Sequence, residues 1–302
     1  MRQKLIESIM PILLKNKLIE LIIDLPDENY QFSRFDRTGK ITSLKYGTTY
    51  LSSSEKKSQN DLDPFGKGFY SEFGLDNALG FSETPEGGWF HKIGVGLLKK
   101  KGNIYDFQKT YEVLPAVFKM THLNAEATFT CTAPITNGYA YVLTKKIVLL
   151  ENGFKISYQL HNTGNKLINT NEYSHNFLAI DITSSARYSL KLPFPIEPSV
   201  FKEYINPGGF LNVKNNQISL SKGLKETFYL SNLSGSNSVR STWVFKDYKN
   251  KISISEHGNF KTSLVNLWGQ AHVISPELFI AIEVAPKDSF SWQRVFTIEK
   301  FQ

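Results

Sequence analysis

Three segments of the chain hold side chains suited to moving a proton or gripping a polar ligand. The first is Asn171-Glu172-Tyr173-Ser174-His175-Asn176-Phe177-Leu178-Ala179-Ile180-Asp181, where bulky strand residues are joined by more polar groups than a simple buried strand needs. Imidazole titrates near neutrality, so His175 is the side chain best suited to donate a proton at physiological pH. The alternative is a core or edge histidine satisfied by one hydrogen bond. The second segment is Trp89-Phe90-His91-Lys92-Ile93-Gly94-Val95-Gly96, preceded by Glu83 to Gly88. Its glycines let backbone approach closely, and Trp89 offers a flat apolar face that can stack on the C–H side of a sugar ring or fill a core. The third runs from Leu267 to Glu277 and continues into the strand Leu278 to Val284. Glu277 follows Pro276 at a strand entrance, where a carboxylate can project into a cleft or stay solvated. Glu283, on the strand face shared by Phe279 and Ala281, is the competing acid.

Other chemistries lack their residues. There is no GxxxxGK[ST] or GxGxxG between a strand and a helix, no HExxH, no CxxC and no histidine grouped with acids at ligand spacing. No cofactor and no metal are therefore expected. His122, His161 and His257 fall at strand ends or turns and His272 lies just beyond Gly269, which are ordinary structural places.

The elements that must position these groups read as strands. From Ala127 to Ala133 the apolar residues Ala127, Phe129, Cys131 and Ala133 alternate with threonines, the pattern of a strand with one buried face. Cys131 is then a small core hydrophobe rather than a nucleophile. Tyr105, Phe107, Tyr111 and Val113 repeat the alternation, as do Ile252 and Ile254. Asn152-Gly153 predicts a type I′ hairpin turn between Lys146–Glu151 and Phe154–Leu160. Arg37-Thr38-Gly39, Asn162-Thr163-Gly164, Lys249-Asn250 and Gly258-Asn259 mark further reversals. About sixteen to eighteen short strands result, the all-β regime of sandwiches and barrels. Helix is confined to a stretch around Gln3 to Leu14, limited by Pro11. No linker interrupts the patterning, although Ser52 to Lys67 is a long polar loop, so residues 1–17 read as an N-terminal extension and 18–302 as one large domain.

The chain has 302 residues, 41% of them hydrophobic, and a net charge of +7. Apart from Lys99 to Lys101 the basic residues are scattered and no aromatic stripe accompanies them, so no nucleic-acid partner is expected. No window approaches the ~18 apolar residues of a membrane span. The N-terminal apolar run is broken by Glu7 and Pro11, without a small-residue cleavage site, so no cleaved signal is expected. A single cysteine suits a reducing compartment, and a cytoplasmic location is expected.

Taken together, the Phe35-Asp36-Arg37-Thr38-Gly39-Lys40 turn, the Phe90 to Gly96 segment, Tyr173-Ser174-His175-Asn176-Phe177 and Ser275-Pro276-Glu277 with its proline-terminated strand resemble the aldose 1-epimerase (galactose mutarotase) family over most of the chain. The resemblance implies a large antiparallel β-sandwich of the galactose mutarotase-like type with an open carbohydrate cleft, in a monomer or homodimer. It implies that His175 is the general acid that protonates the pyranose ring oxygen and Glu277 the general base that deprotonates the anomeric hydroxyl. Glu283 is the alternative base, and Trp89, His91 and Lys92 would contact substrate. Two features depart from the family: no His-Gly-Gly triplet occurs, leaving His91 as a partial substitute, and Lys92 stands near a position where many relatives carry arginine. The implied ligand is a small sugar or an oligosaccharide end. Noncatalytic sugar binding, or a polysaccharide-cleaving enzyme or its accessory domain, are the alternatives on the same scaffold.

Overall fold

A computed structural model describes residues 10–57, 64–181, 187–220 and 226–302. Among them are twenty-five strands and only two short 3₁₀ turns, Pro198–Val200 and Pro207–Gly209. The strands form antiparallel sheets of ten, seven, five and three members. The ten-stranded sheet runs from an edge at Leu211–Lys214 to one at Val117–Leu123. The seven-stranded sheet runs from Ile12–Lys15 to Ile280–Val284. One apolar cluster, drawing residues from Ile12 to Ile298, lies between these sheets and takes in the five-stranded sheet. This is the all-β architecture that the alternation predicts, in the sandwich form that the resemblance implies. No helix among the described residues is long and apolar enough to cross a membrane.

Local readings hold where burial drives them and shift where turn chemistry does. Glu126–Thr136 alternates buried and less buried residues, with Cys131 fully buried. The hairpin between Tyr139–Leu150 and Gly153–Asn162 forms, but its loop is Glu151-Asn152, because Leu150 pairs with Gly153. Gly153 is needed for a different reason: a Cβ there would lie 1.9 Å from the Phe296 carbonyl oxygen of the neighbouring strand. Gly258-Asn259 is not a reversal. It sits inside Ile252–Thr262, where the register slips between Arg240 and Thr242 of the partner strand.

Two further expectations are corrected. The helix expected around Gln3 to Leu14 is absent from its described part, since Ile12–Lys15 is an edge strand with Ile12 and Leu14 buried in the main core; residues 1–9 lie outside the described residues. Pairing with Ile19–Asp24 and burial of two large side chains outweigh helix propensity there. Within residues 1–17, Ile12–Lys15 is thus joined to the sheet. Tyr105 to Tyr111 is not a strand: it is a loop whose tyrosines stack on each other beside Phe90 and Phe81, so packing rather than a ladder explains its aromatic spacing.

Candidate functional site

The strand Ile168–Asn176 is buried on both sides along its second half, and its two faces do different work. Glu172, Ser174 and Asn176 point into the sandwich. There Arg294 donates to Glu172 Oε2 (2.7 Å) and to Glu256, Trp292 Nε1 donates to Glu172 (3.2 Å), and Trp243 Nε1 donates to Glu256 (2.7 Å). Asn176 Nδ2 donates to Glu256 (3.0 Å) and to the Pro276 carbonyl (2.8 Å). The second bond ties the histidine strand to Val273–Leu278, which belongs to another sheet. Two strands with no ladder between them are thereby held side by side.

Tyr173 and His175 project from the opposite face. Cross-strand pairing sets His175 opposite Tyr70 and Tyr173 opposite Glu72, while Glu277 lies opposite Asn266 and Ser275 opposite Trp268. His175 Nε2 stands 3.3 Å from Glu277 Oε1, with both side chains almost fully buried. The His175 ring stacks on Phe177 at 4.0 Å and meets the edges of Trp268 and Phe35. Burial, reinforced by the Arg34 charge, holds the imidazole well below its usual range. Burial pushes the Glu277 carboxyl up to about 8; Arg34 opposes this, while Glu72 and Glu55 add to it. The two directions agree on a neutral imidazole beside a protonated carboxyl. Both shifts disfavour the charged forms and so favour the proton on Glu277.

Beside this pair lies a second group of charges. Arg34 donates from Nε to Glu72 Oε2 (2.9 Å), from Nη1 to Glu55 (3.2 Å) and from Nη2 to the Tyr173 hydroxyl (3.4 Å). Its guanidinium lies against the rings of Phe35 and Phe107, at 4.3 and 4.7 Å from their centroids. Glu72 also accepts from Tyr173 Oη (2.7 Å) and Lys92 Nζ (3.2 Å). Burial alone would raise the Glu72 carboxyl, but Lys92 and Arg34 outweigh it and hold Glu72 below its usual value. A cavity of about 360 Å³ opens above these groups, walled by Tyr30, Phe32, Arg34, Glu55, Phe107, Trp268 and Gln270. Trp268 and Arg34 thus stand at the cavity wall, with His175 and Glu277 behind them. No group of three or more His, Cys, Asp or Glu residues able to hold a metal occurs among the described residues.

Solved structures share this architecture along nearly the whole chain. A protein from Escherichia coli K12, provisionally named an aldose 1-epimerase, superposes with a TM-score of 0.63 at 9% identity, covering 97% of this chain and 99% of its own. A galactose mutarotase-like protein from Lactobacillus casei gives 0.59 at 12% identity, covering 96% and 100%. The Slr1438 protein from Synechocystis sp. PCC 6803 gives 0.59 at 12% identity, covering 97% and 96%. The chain has the galactose mutarotase-like fold. At these identities the likeness is one of fold. No family model and no curated protein matches the sequence.

Within the galactose mutarotase-like sandwich, the residues singled out from sequence separate into two groups. His175 and Glu277 meet, but in direct contact rather than on opposite sides of a ring-sized gap. Lys92 is buried and does not line the cavity; its ammonium donates to Glu72 (3.2 Å), the Tyr105 hydroxyl (2.8 Å) and the Gly74 carbonyl (3.4 Å). His91 alternates to the other side of its strand, where Nε2 bonds the Tyr139 carbonyl (3.1 Å), its ring packs on Tyr141, and burial lowers its pKa to about 4. Trp89 lies away from the cavity with Lys99 5.7 Å above its ring. Glu283 is exposed on Ile280–Val284 beside Asn169. None of these six residues lines the cavity itself: His175, Glu277 and Lys92 are buried, and Trp89, His91 and Glu283 are turned elsewhere. Sequence reasoning missed Arg34, Glu72 and Glu55. A signal for Glu72 existed, because a lone carboxylate in Phe69-Tyr70-Ser71-Glu72-Phe73 is costly unless cations meet it.

Proposed function

We propose that the protein interconverts the α and β anomers of a free sugar, with the His175–Glu277 pair carrying the proton traffic. The observation behind this reading is a neutral imidazole 3.3 Å from a carboxyl raised to about 8, adjoining a cavity walled by Trp268 and Arg34. Ring opening of a hemiacetal needs one proton delivered to the ring oxygen and one removed from the anomeric hydroxyl. The C1–O5 bond breaks, the aldehyde rotates about C1–C2, and closure reverses both transfers. A pair holding one proton, with Glu277 as its donor and the neutral imidazole as its acceptor, can do both, each well-placed group contributing about 10²- to 10⁴-fold. The family resemblance gives the acid role to His175, whereas the resting proton sits on Glu277; one transfer across the pair interconverts the two arrangements. The solved structures with this fold that are named as epimerases or mutarotase-like proteins agree with the reading.

A second reading, sugar binding without catalysis, is favoured by the contact itself, because no ring fits between His175 and Glu277 as they stand. Two-dimensional NMR exchange measurements between anomers, across a panel of hexoses, pentoses and hexuronates, separate the two. Acceleration that disappears in His175→Ala and Glu277→Gln, with circular dichroism unchanged, supports the isomerase. Ligand-dependent thermal stabilisation without acceleration of any sugar supports the binder.

A further inference from the structure

The outer face of the five-stranded sheet carries an apolar strip that runs on past the cavity. Cross-strand pairing sets Tyr229 of Phe228–Ser231 opposite Trp268, and Ile205 of the edge strand Glu203–Ile205 opposite Tyr229. Phe228 and Leu230 are buried in the main core, so alternation turns Tyr229 outward. Exposure grows along this row. Ser275, opposite Trp268, is fully buried, Trp268 and Tyr229 are half-buried, and Ile205 is 49% exposed. Two inter-strand steps carry the strip roughly 10 Å beyond Trp268, further than one pyranose ring covers. Tyr229 has a flat apolar face, and its hydroxyl forms no hydrogen bond among the described residues. Burial raises that hydroxyl above its usual range, and the nearby Glu277, Glu203 and Asp76 carboxyl groups add to the shift. Glu203 and Asp76 are exposed. They can accept hydrogen bonds from sugar hydroxyls, and their charge disfavours an anionic unit beside them.

We propose that the site takes the reducing end of a neutral oligosaccharide, whose second sugar unit stacks on Tyr229 outside the cavity. The spacing between neighbouring strands is close to the length of one sugar unit along a glycan, so with the first unit against Trp268 the second falls over Tyr229. Tyr229 and Ile205 then cover its C–H surface, while Glu203 and Asp76 accept from its hydroxyls. This assignment rests on the sugar-directed reading above and narrows its substrate class to chain ends.

The test is calorimetry on the full chain, with maltose, cellobiose, galactobiose and xylobiose set against glucose, galactose and xylose. At least one disaccharide should bind about tenfold more tightly than the monosaccharide at its reducing end. Tyr229→Ala should bring that ratio below about threefold, and Tyr229→Trp, which keeps a flat face, should retain it. Saturation-transfer NMR on the unaltered protein needs no variant: the C–H protons of the outer sugar unit should receive saturation as the inner unit does. Disaccharides that bind no more tightly than monosaccharides, a ratio undiminished in Tyr229→Ala, an outer unit without saturation, or no binding of any of these sugars overturns the assignment. Anomer exchange on the same samples keeps the two proposals apart: a disaccharide preference without faster exchange sinks the isomerase and leaves the second subsite standing. Monosaccharides that exchange faster, with no preference for the longer sugars, do the reverse.

Discussion

Two buried charge clusters flank the same strand, and they differ in where they end. On the inner face of Ile168–Asn176, Arg294 joins Glu172 and Glu256, which also accept from the indoles of Trp292 and Trp243 and the amide of Asn176. On the outer face, Arg34 joins Glu72 and Glu55, and the group ends at a cavity. The inner cluster has the character of a structural tie: core donors from three strands meet Glu172 Oε2 and both Glu256 oxygens, although Glu172 Oε1 and Arg294 Nε have no partner among the described residues. The outer one leaves donors facing open space and a histidine Nδ1 with no partner among the described residues. Both clusters leave buried polar atoms unmet, and what separates them is that only the outer one opens on a cavity.

The sharpest way to break this contrast is Arg294→Met. It strands Glu172 and Glu256 without a cation, and should cost about 3–5 kcal/mol in denaturant unfolding. A loss under about 1 kcal/mol would dissolve the distinction between tie and site. Next comes the pH dependence of Glu277. A carboxyl raised from its ordinary 4.5 to about 8 retains its proton near neutrality when folded. Its contribution to stability is complete below about pH 4.5 and declines as pH rises to about 8. Glu277→Gln should flatten that decline, worth up to a few kcal/mol across the window. His175 acts oppositely, its contribution being lost as pH falls below its ordinary value of 6.5, so the comparison is cleanest between pH 6.5 and 8. A smaller effect is expected for Tyr173→Phe, which removes the hydroxyl between Glu72 and Arg34. About 1.5–3 kcal/mol of stability should be lost, together with weaker sugar binding by calorimetry. Smallest of all is Glu283→Gln, exposed and outside both clusters, which should change stability by less than about 0.5 kcal/mol and anomer exchange not at all.

How much of this is legible from sequence follows from the range of the forces involved. The period-two burial of Glu126–Thr136 is local, so Cys131 could be placed without coordinates. The polar excess around His175 was also visible, but not its cause, which is that both faces of the strand are buried against polar partners. Arg34 and Glu72 are 38 residues apart and Glu172 and Arg294 are 122 apart, and no local pattern reports such pairings. His91 and Lys92 were adjacent candidates from one motif, yet alternation turns one into a packed core and the other toward Glu72. The Asn152-Gly153 turn shifted by one residue because the glycine answers a neighbouring strand rather than its own loop.

Lys40 gives the cavity a reporter. Its buried ammonium donates to the carbonyls of Pro26, Glu28 and Tyr30, pinning the loop that carries Tyr30 to the cavity wall. Burial lowers this amine to about 8 while the loop is closed, and when the loop lifts away the amine becomes accessible to reagent with the basicity of an ordinary lysine. Slow acylation of Lys40 under native conditions therefore counts openings of that wall, and a compound seated in the cavity should slow the count. Peptide mass spectrometry of one lysine could in this way rank ligands before any reaction is known to occur.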